Sequence, residues 1–206
     1  LGILLQRVSG KPYSQYLAEN LWQQVSEAEG KVLIDSEQHR IPVTFCCLDA
    51  PARSWLRLGL LHLDGGRVGD RQVVPAQWMK DVITPSPTNP NYGYFTWLGT
   101  QWEKNRRYNS KSSATAFHSE PFAAPDLIYF DGFGGQRVYI VPSKQLVIVH
   151  TGPMRQDGLA RLAIMHRVPP TGPSWPAVAG PVERRVSPHC TERDGRALVS
   201  GGGRGA

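Results

Sequence analysis

Apolar positions along this chain follow two rhythms. Near the start they recur every three or four residues, the spacing of one helix face. LGILLQRVSG reads as the end of a helix stopped by Gly10. Pro12 suits the first turn of a second helix over 12–25, with Tyr13, Tyr16, Leu17, Leu21 and Val25 at helical spacing. Residues 26–45 keep no period and read as loop with short extended pieces. In LDAPARSWLRLGLLHLDGG, Asp49 is an N-cap and Pro51 a first-turn residue. Ala52, Trp55, Leu56, Leu60 and Leu63 form the stripe, and Gly65-Gly66 end the helix. A further helix restarts after Pro75, and TPSPTNPNYG is a loop.

The second rhythm is the strand. Residues 92–98, YGYFTWL, are aromatic and predict a strand, while 103–125 are polar and predict a long surface loop. RVYIV (137–141) and QLVIV (145–149) flank Pro142-Ser143-Lys144 and predict a hairpin of two apolar strands. DGLARLAIMH (157–166) predicts a helix that packs on that sheet. From Arg167 the pattern ends. The last 40 residues hold six Pro, seven Gly and few large apolar side chains. Such a segment buries too little surface to offset its ordering entropy, so 167–206 is expected to be a disordered tail beside a domain over 1–166.

Composition narrows the function classes. The chain of 206 residues is 40% hydrophobic and 19% charged, enough to build a core. No apolar run reaches the length of a spanning helix. Net charge is +6, but the tail, with six Arg and three acidic residues, carries half of it. The body is nearly balanced, which weakens a nucleic-acid or membrane reading. The three cysteines, Cys46, Cys47 and Cys190, are no disulfide framework. Neighbouring cysteines are not expected to bridge, because local backbone geometry opposes it. No ligand spacing points to a structural metal, and no cofactor is implied. The opening has no basic leader, so it is not a signal peptide, and it starts inside a helix without Met; a fragment is expected.

Three segments, in order, resemble the serine β-lactamase-related hydrolases, a family of class C β-lactamases, D-Ala-D-Ala carboxypeptidase-like proteins, esterases and 6-aminohexanoate-dimer hydrolases. LGILLQRVSGKPYSQYLAENLW resembles the family's helix pair around a V-[ST]-G-K-P-Y turn. CCLDAPARSWLRLGLLHLDGGRVGDRQVVPAQWM resembles its A-x-A-R-D-x-x-R-x-G-x-L-x-L-x-x-G-G stretch and V-P-x-x-W helix, with Ser54 where the family carries Asp. GFGGQRVYIVPSKQLVIVHTG is similar to its last sheet hairpin, in the form found in the amide-hydrolase and esterase branch. The resemblance implies an α/β (α+β) class: part of a β-lactamase/transpeptidase-like fold, an antiparallel sheet flanked by helices, with the N-terminal half missing.

The family's chemistry needs a serine with a lysine one helical turn on, so that the amine can take the serine proton. No serine here has Lys three residues later; the nearest imitation, Ser54 with Arg57, fails because Arg does not deprotonate. No tyrosine has Asn two residues on. Nucleophile, lysine and tyrosine are thus absent from the chain. The third element, K-T-G or a glycine-rich replacement, is matched by Asp131 and the stretch Gly132, Phe133, Gly134, Gly135, Gln136. The resemblance implies an oxyanion donor near Phe133, from a strand that glycines let approach the substrate. Read without it, the stretch is an ordinary glycine-rich start to a strand. His150-Thr151-Gly152 imitates K-T-G, but sits at the wrong end of the hairpin and reads as a strand-end turn.

Other residues carry two readings each. Tyr92, Tyr94 and Trp97 are cleft aromatics or core. Asp126 and Asp131 are paired carboxylates or solvated loop acids; His62 and His118 are proton carriers or packing. Arg184-Arg185 are anion contacts or a mobile tail.

The expected function is that of the C-terminal fragment of a serine hydrolase acting on amide, ester or β-lactam-type bonds through an acyl-enzyme. Activity is enzymatic at family level, but this chain is expected to be inactive and poorly stable alone. Its partners would be a small-molecule amide or ester, or a peptide substrate, in the full-length protein and the missing half of the domain; no nucleic acid and no membrane span are expected. The family points to a bacterial periplasmic or secreted setting. The alternative is a non-catalytic binding protein that keeps a remnant of the fold. Binding of anions or nucleic acid through the tail ranks behind both and predicts strong salt dependence.

Overall fold

The longest apolar alternation builds the largest sheet. A computed structural model describes residues 1–99, 102–107, 109, 111–113, 115–117, 121–132, 135–151 and 198–200. The chain divides into two compact units: Leu1–Pro51 with the C-terminal stretch that contains Leu198–Ser200, and Ala52–Val168. The expected organisation is one domain over 1–166 and a tail over 167–206. The tail lies outside the described residues except at Leu198–Ser200, and the helix expected over 157–166 lies wholly outside them.

The first unit begins with helix α1 (Gly2–Ser9), ended by Gly10 at φ 68°. That left-handed turn costs a glycine little. Helix α2 (Tyr13–Leu17) widens into a π turn at Ala18–Trp22 and closes as α3 (Gln23–Val25). The expected helix over 12–25 is therefore present, with a bulge in its middle. Gln6 Oε1 accepts the Tyr13 N–H at 2.8 Å and ties the two helical segments together. Strand β1 (Lys31–Leu33) pairs antiparallel with β2 (Leu48–Asp49) on one side and with the C-terminal strand Leu198–Ser200 on the other. Buried Ala18, Trp22, Val25, Val32 and Ile34 form this unit's apolar interior. Cys46 and Cys47 are joined as a disulfide, contrary to expectation. The physical reason lies in the backbone: Cys47 adopts a left-handed φ of 72°, a turn that neighbouring residues seldom make.

The second unit opens with α4 (Ala52–Leu63), followed by the short ribbon β3 (Arg67–Val68) and β4 (Arg71–Gln72) and by α5 (Ala76–Asp81) after Pro75. The strand expected over 92–98 shrinks to β5 (Trp97–Leu98). Residues 92–97 fold into a tight turn instead, with Phe95 at φ 56° and the Gly93 N–H donating to the Thr96 carbonyl. The loop expected over 103–125 contains a small antiparallel pair, β6 (Asn105–Arg107) with β7 (Thr115–Phe117). Between them Asn109 Oδ1 accepts the Lys111 N–H, a local turn device available to a polar sequence.

Strands β8 (Ile128–Asp131), β9 (Arg137–Val141) and β10 (Leu146–His150) join β5 in an antiparallel sheet of order β10-β9-β8-β5. The expected hairpin is present, with Pro142–Lys144 as a 3₁₀ turn. Side chains alternate across this sheet, as the period of two requires. Leu98, Ile128, Val138, Ile140 and Val147 share one cluster with Leu60, Trp55, Leu56 and Leu63 of α4. Trp97, Tyr129, Val141, Leu146 and Ile148 lie in the other, with Phe122 and Tyr139 packed on it. Gly59 lets α4 approach: a Cβ there would stand 2.5 Å from Val147 Cγ1. The described chain is thus an α+β protein with small antiparallel sheets.

Candidate functional site

The glycine-rich stretch links β8 to β9 as a turn. Asp131 and Arg137 face each other in register at its base. Arg137 Nε donates to Asp131 Oδ1 at 2.8 Å, with both side chains below a tenth exposed, and Arg137 Nη1 donates to the Tyr139 hydroxyl at 3.1 Å. Asp131 is therefore no solvated loop acid, but half of a buried ion pair that closes the hairpin. Above it the Gly132 N–H donates to the Gln136 carbonyl at 2.8 Å, and the Gly135 N–H to the Gly132 carbonyl at 3.3 Å. Gly135 sits at φ 85°, a conformation that glycine adopts freely. His150 Nδ1 lies 3.1 Å from the Gly135 carbonyl, which ties the end of β10 to the same turn.

The N–H groups of Gly132 and Gly135 are committed inside the turn, so they do not point outward as donors. Phe133 and Gly134, the centre of the expected donor region, lie outside the described residues. Gln136 leads directly into β9. The stretch is a self-closed turn at the described positions, because the ladder between Asp131 and Arg137 ends just before it.

The aromatic candidates separate. Trp97 is buried, and Tyr92 packs edge-on against it with centroids 4.6 Å apart. Both belong to the aromatic cluster on one sheet face, where Trp97 also stacks on Tyr129. The Arg106 guanidinium lies 4.2 Å from the centre of the Trp97 ring, a cation–π contact. Tyr94 is exposed and stacks on Trp78 at 5.4 Å.

The remaining candidates are structural in their placement. Ser54 is buried within α4, at 2% exposure. Asp126 accepts the N–H and the hydroxyl of Ser143, holding the 3₁₀ turn; burial pushes its carboxyl up, but the Ser143 hydrogen bonds outweigh this and carry it below the usual range. It is thus a partly exposed acid that caps the Ser143 turn. His62 meets the Phe130 ring edge-on at 5.1 Å, and burial lowers its pKa to about 4. It stays neutral near pH 7 as a packed imidazole. His118 and the Arg184-Arg185 pair lie outside the described residues. Among the described residues no three His, Cys, Asp or Glu side chains gather as a metal site. No described helix is long and apolar enough to cross a membrane.

Sequence reasoning missed one feature of the first unit. A cleft of about 670 Å³ opens between the α1–α2 turn and β1, lined by Arg7, Lys11 and Arg40 among others. Its residues lie far apart in sequence, and no local motif marks them. No family model matches this chain, and no curated protein matches it.

Proposed function

We propose that this chain carries the C-terminal part of a serine β-lactamase-related hydrolase, whose whole domain cleaves amide, ester or β-lactam-type bonds through an acyl-enzyme. One observation supports the reading above the others. Strand β8, the Gly132–Gln136 turn and the β9–β10 hairpin follow one another in the order the resemblance implies, with α4 packed on the same sheet. Strand β10 adds a second point. Among the described residues it pairs only with β9, which leaves an apolar strand with one open edge. Open apolar edges are normally covered or paired, and upstream strands of the proposed domain would fill this one.

In this reading the nucleophile, its lysine base and the tyrosine come from sequence outside these 206 residues. What the chain supplies is the sheet on which the substrate would lie. Amide or ester substrates need a positioned oxyanion donor at that sheet, and the resemblance implies one near Phe133.

A fluorophosphonate serine probe, read by intact mass, tests the proposal. The expected result is no adduct on this chain and a stoichiometric adduct on a polypeptide extended upstream. An adduct on the present chain would overturn the assignment of the nucleophile. No adduct on either would favour a binding protein that keeps the fold without the chemistry, a reading that the absence of S-x-x-K from the sequence supports.

A further inference from the structure

The cleft of the first unit has a construction of its own, and its chemistry is independent of the hydrolase reading. One wall is the reversal between α1 and α2. Gly10 turns the chain at φ 68°, and the Gln6–Tyr13 hydrogen bond holds the two helical segments. The other wall is β1 and its continuation, where Ile34 bridges Pro42. Arg40 stands in the intervening turn at φ 52°. At about 670 Å³ the space falls within the range of small-molecule sites.

The lining has two chemistries. Val32, Ile34, Pro12 and Pro42 are apolar, with Val32 and Ile34 continuous with the unit's buried interior. Arg7, Lys11 and Arg40 are cationic, and no carboxylate is among the described lining residues. Lys11 and Arg40 do have acidic partners, Glu19 and Glu37, but neither partner lines the cleft. Both pairs are well exposed, and ion pairs of that kind hold weakly. An arriving anion can therefore share these cations at small cost. Tyr13 also lines the cleft; burial raises its pKa, so its hydroxyl remains a neutral donor.

We infer that this cleft binds a small amphipathic organic anion, its acidic head among Arg7, Lys11 and Arg40 and its hydrocarbon body against Val32 and Ile34. Charge selects the head and the apolar wall selects the body, so neither part alone should suffice. The division of labour distinguishes the site from a general basic surface, which would take any anion.

Titration of the full chain with octanoate, followed by calorimetry, tests this, with acetate and octan-1-ol as head-only and body-only probes. Octanoate should bind about ten-fold or more tighter than either, equivalent to at least about 1.4 kcal/mol. Arg7→Gln and Arg40→Gln should each weaken octanoate about five- to ten-fold, while Arg71→Gln on β4 leaves it unchanged. Far-UV circular dichroism of each variant checks that it folds, and Arg→Lys at both positions should restore part of the affinity by keeping the charge. Absence of octanoate binding would overturn the inference. So would equal binding of acetate, or unchanged affinity in both glutamine variants. The fluorophosphonate result bears on none of these outcomes.

Discussion

The two units treat apolar residues in opposite ways. In the second, both faces of the sheet are covered: α4 packs on one, and the aromatic cluster around Trp97 and Tyr129 fills the other. In the first, α1 buries only Gly2, while Leu4 and Val8 stay 60% and 78% exposed. Both regions show apolar residues at regular spacing. The difference teaches that periodicity names an apolar face without saying what covers it. Burial of a large aliphatic side chain is worth about 1.5–3 kcal/mol, so equal patterns can differ widely in the stability they supply.

Four substitutions would sharpen or break this contrast. The largest effect is expected at Gly59, where α4 meets the sheet with no room for a side chain. Gly59→Leu should destabilise the second unit by on the order of 3 kcal/mol through overpacking against Val147 and Val138. Hydrogen exchange of the amides at 138–149 would report it as lost protection; wild-type protection in the variant would show that the helix–sheet contact is loose.

The second effect depends on pH. The unfolded chain protonates His62 near its ordinary value of 6.5, while the folded chain does so only near 4. Between those values the unfolded state holds more protons. The contribution is complete above pH 6.5 and is lost as pH falls toward 4, by at most about 3 kcal/mol. Urea midpoints measured across this window should fall for the wild type and flatten for His62→Phe, which keeps a ring against Phe130. Parallel curves for the two proteins would remove His62 from the second unit's packing.

The smallest effect is expected in the first unit. Leu4→Gln and Val8→Gln should each change stability by less than about 0.5 kcal/mol, as surface substitutions do. A thermal melt shows whether this holds. A cost above about 1 kcal/mol would mean that the α1 face is covered in solution, and the contrast between the units would dissolve.

Much of the fold was legible in the chain. The stop at Gly10, the restarts after Pro12 and Pro75, the α4 stripe and the β9–β10 hairpin all follow from short-range signals and have the expected bounds within a few residues. The turn at 92–97 and the β6–β7 pair were not legible. In the first, Phe95 accepts a left-handed φ that its side chain does not advertise. In the second, polar residues form strands through a local turn. The candidate site was legible mainly as a glycine-rich stretch; that Gly132 and Gly135 spend their N–H groups on the turn itself is a matter of three-dimensional closure.

Sequence by itself determined where helices start and stop, which strands are apolar on both faces, and that no serine here has a lysine one turn away. Those are questions of residue type and spacing along a few neighbours. Tertiary structure alone decided that Asp131 is neutralised by Arg137, that Asp126 serves Ser143, that Trp97 is core while Tyr94 is surface, and that Arg7, Lys11 and Arg40 surround one cleft. Each depends on positions separated by a turn or more of chain, and burial and charge compensation are set by what folds against a residue rather than by the residues beside it.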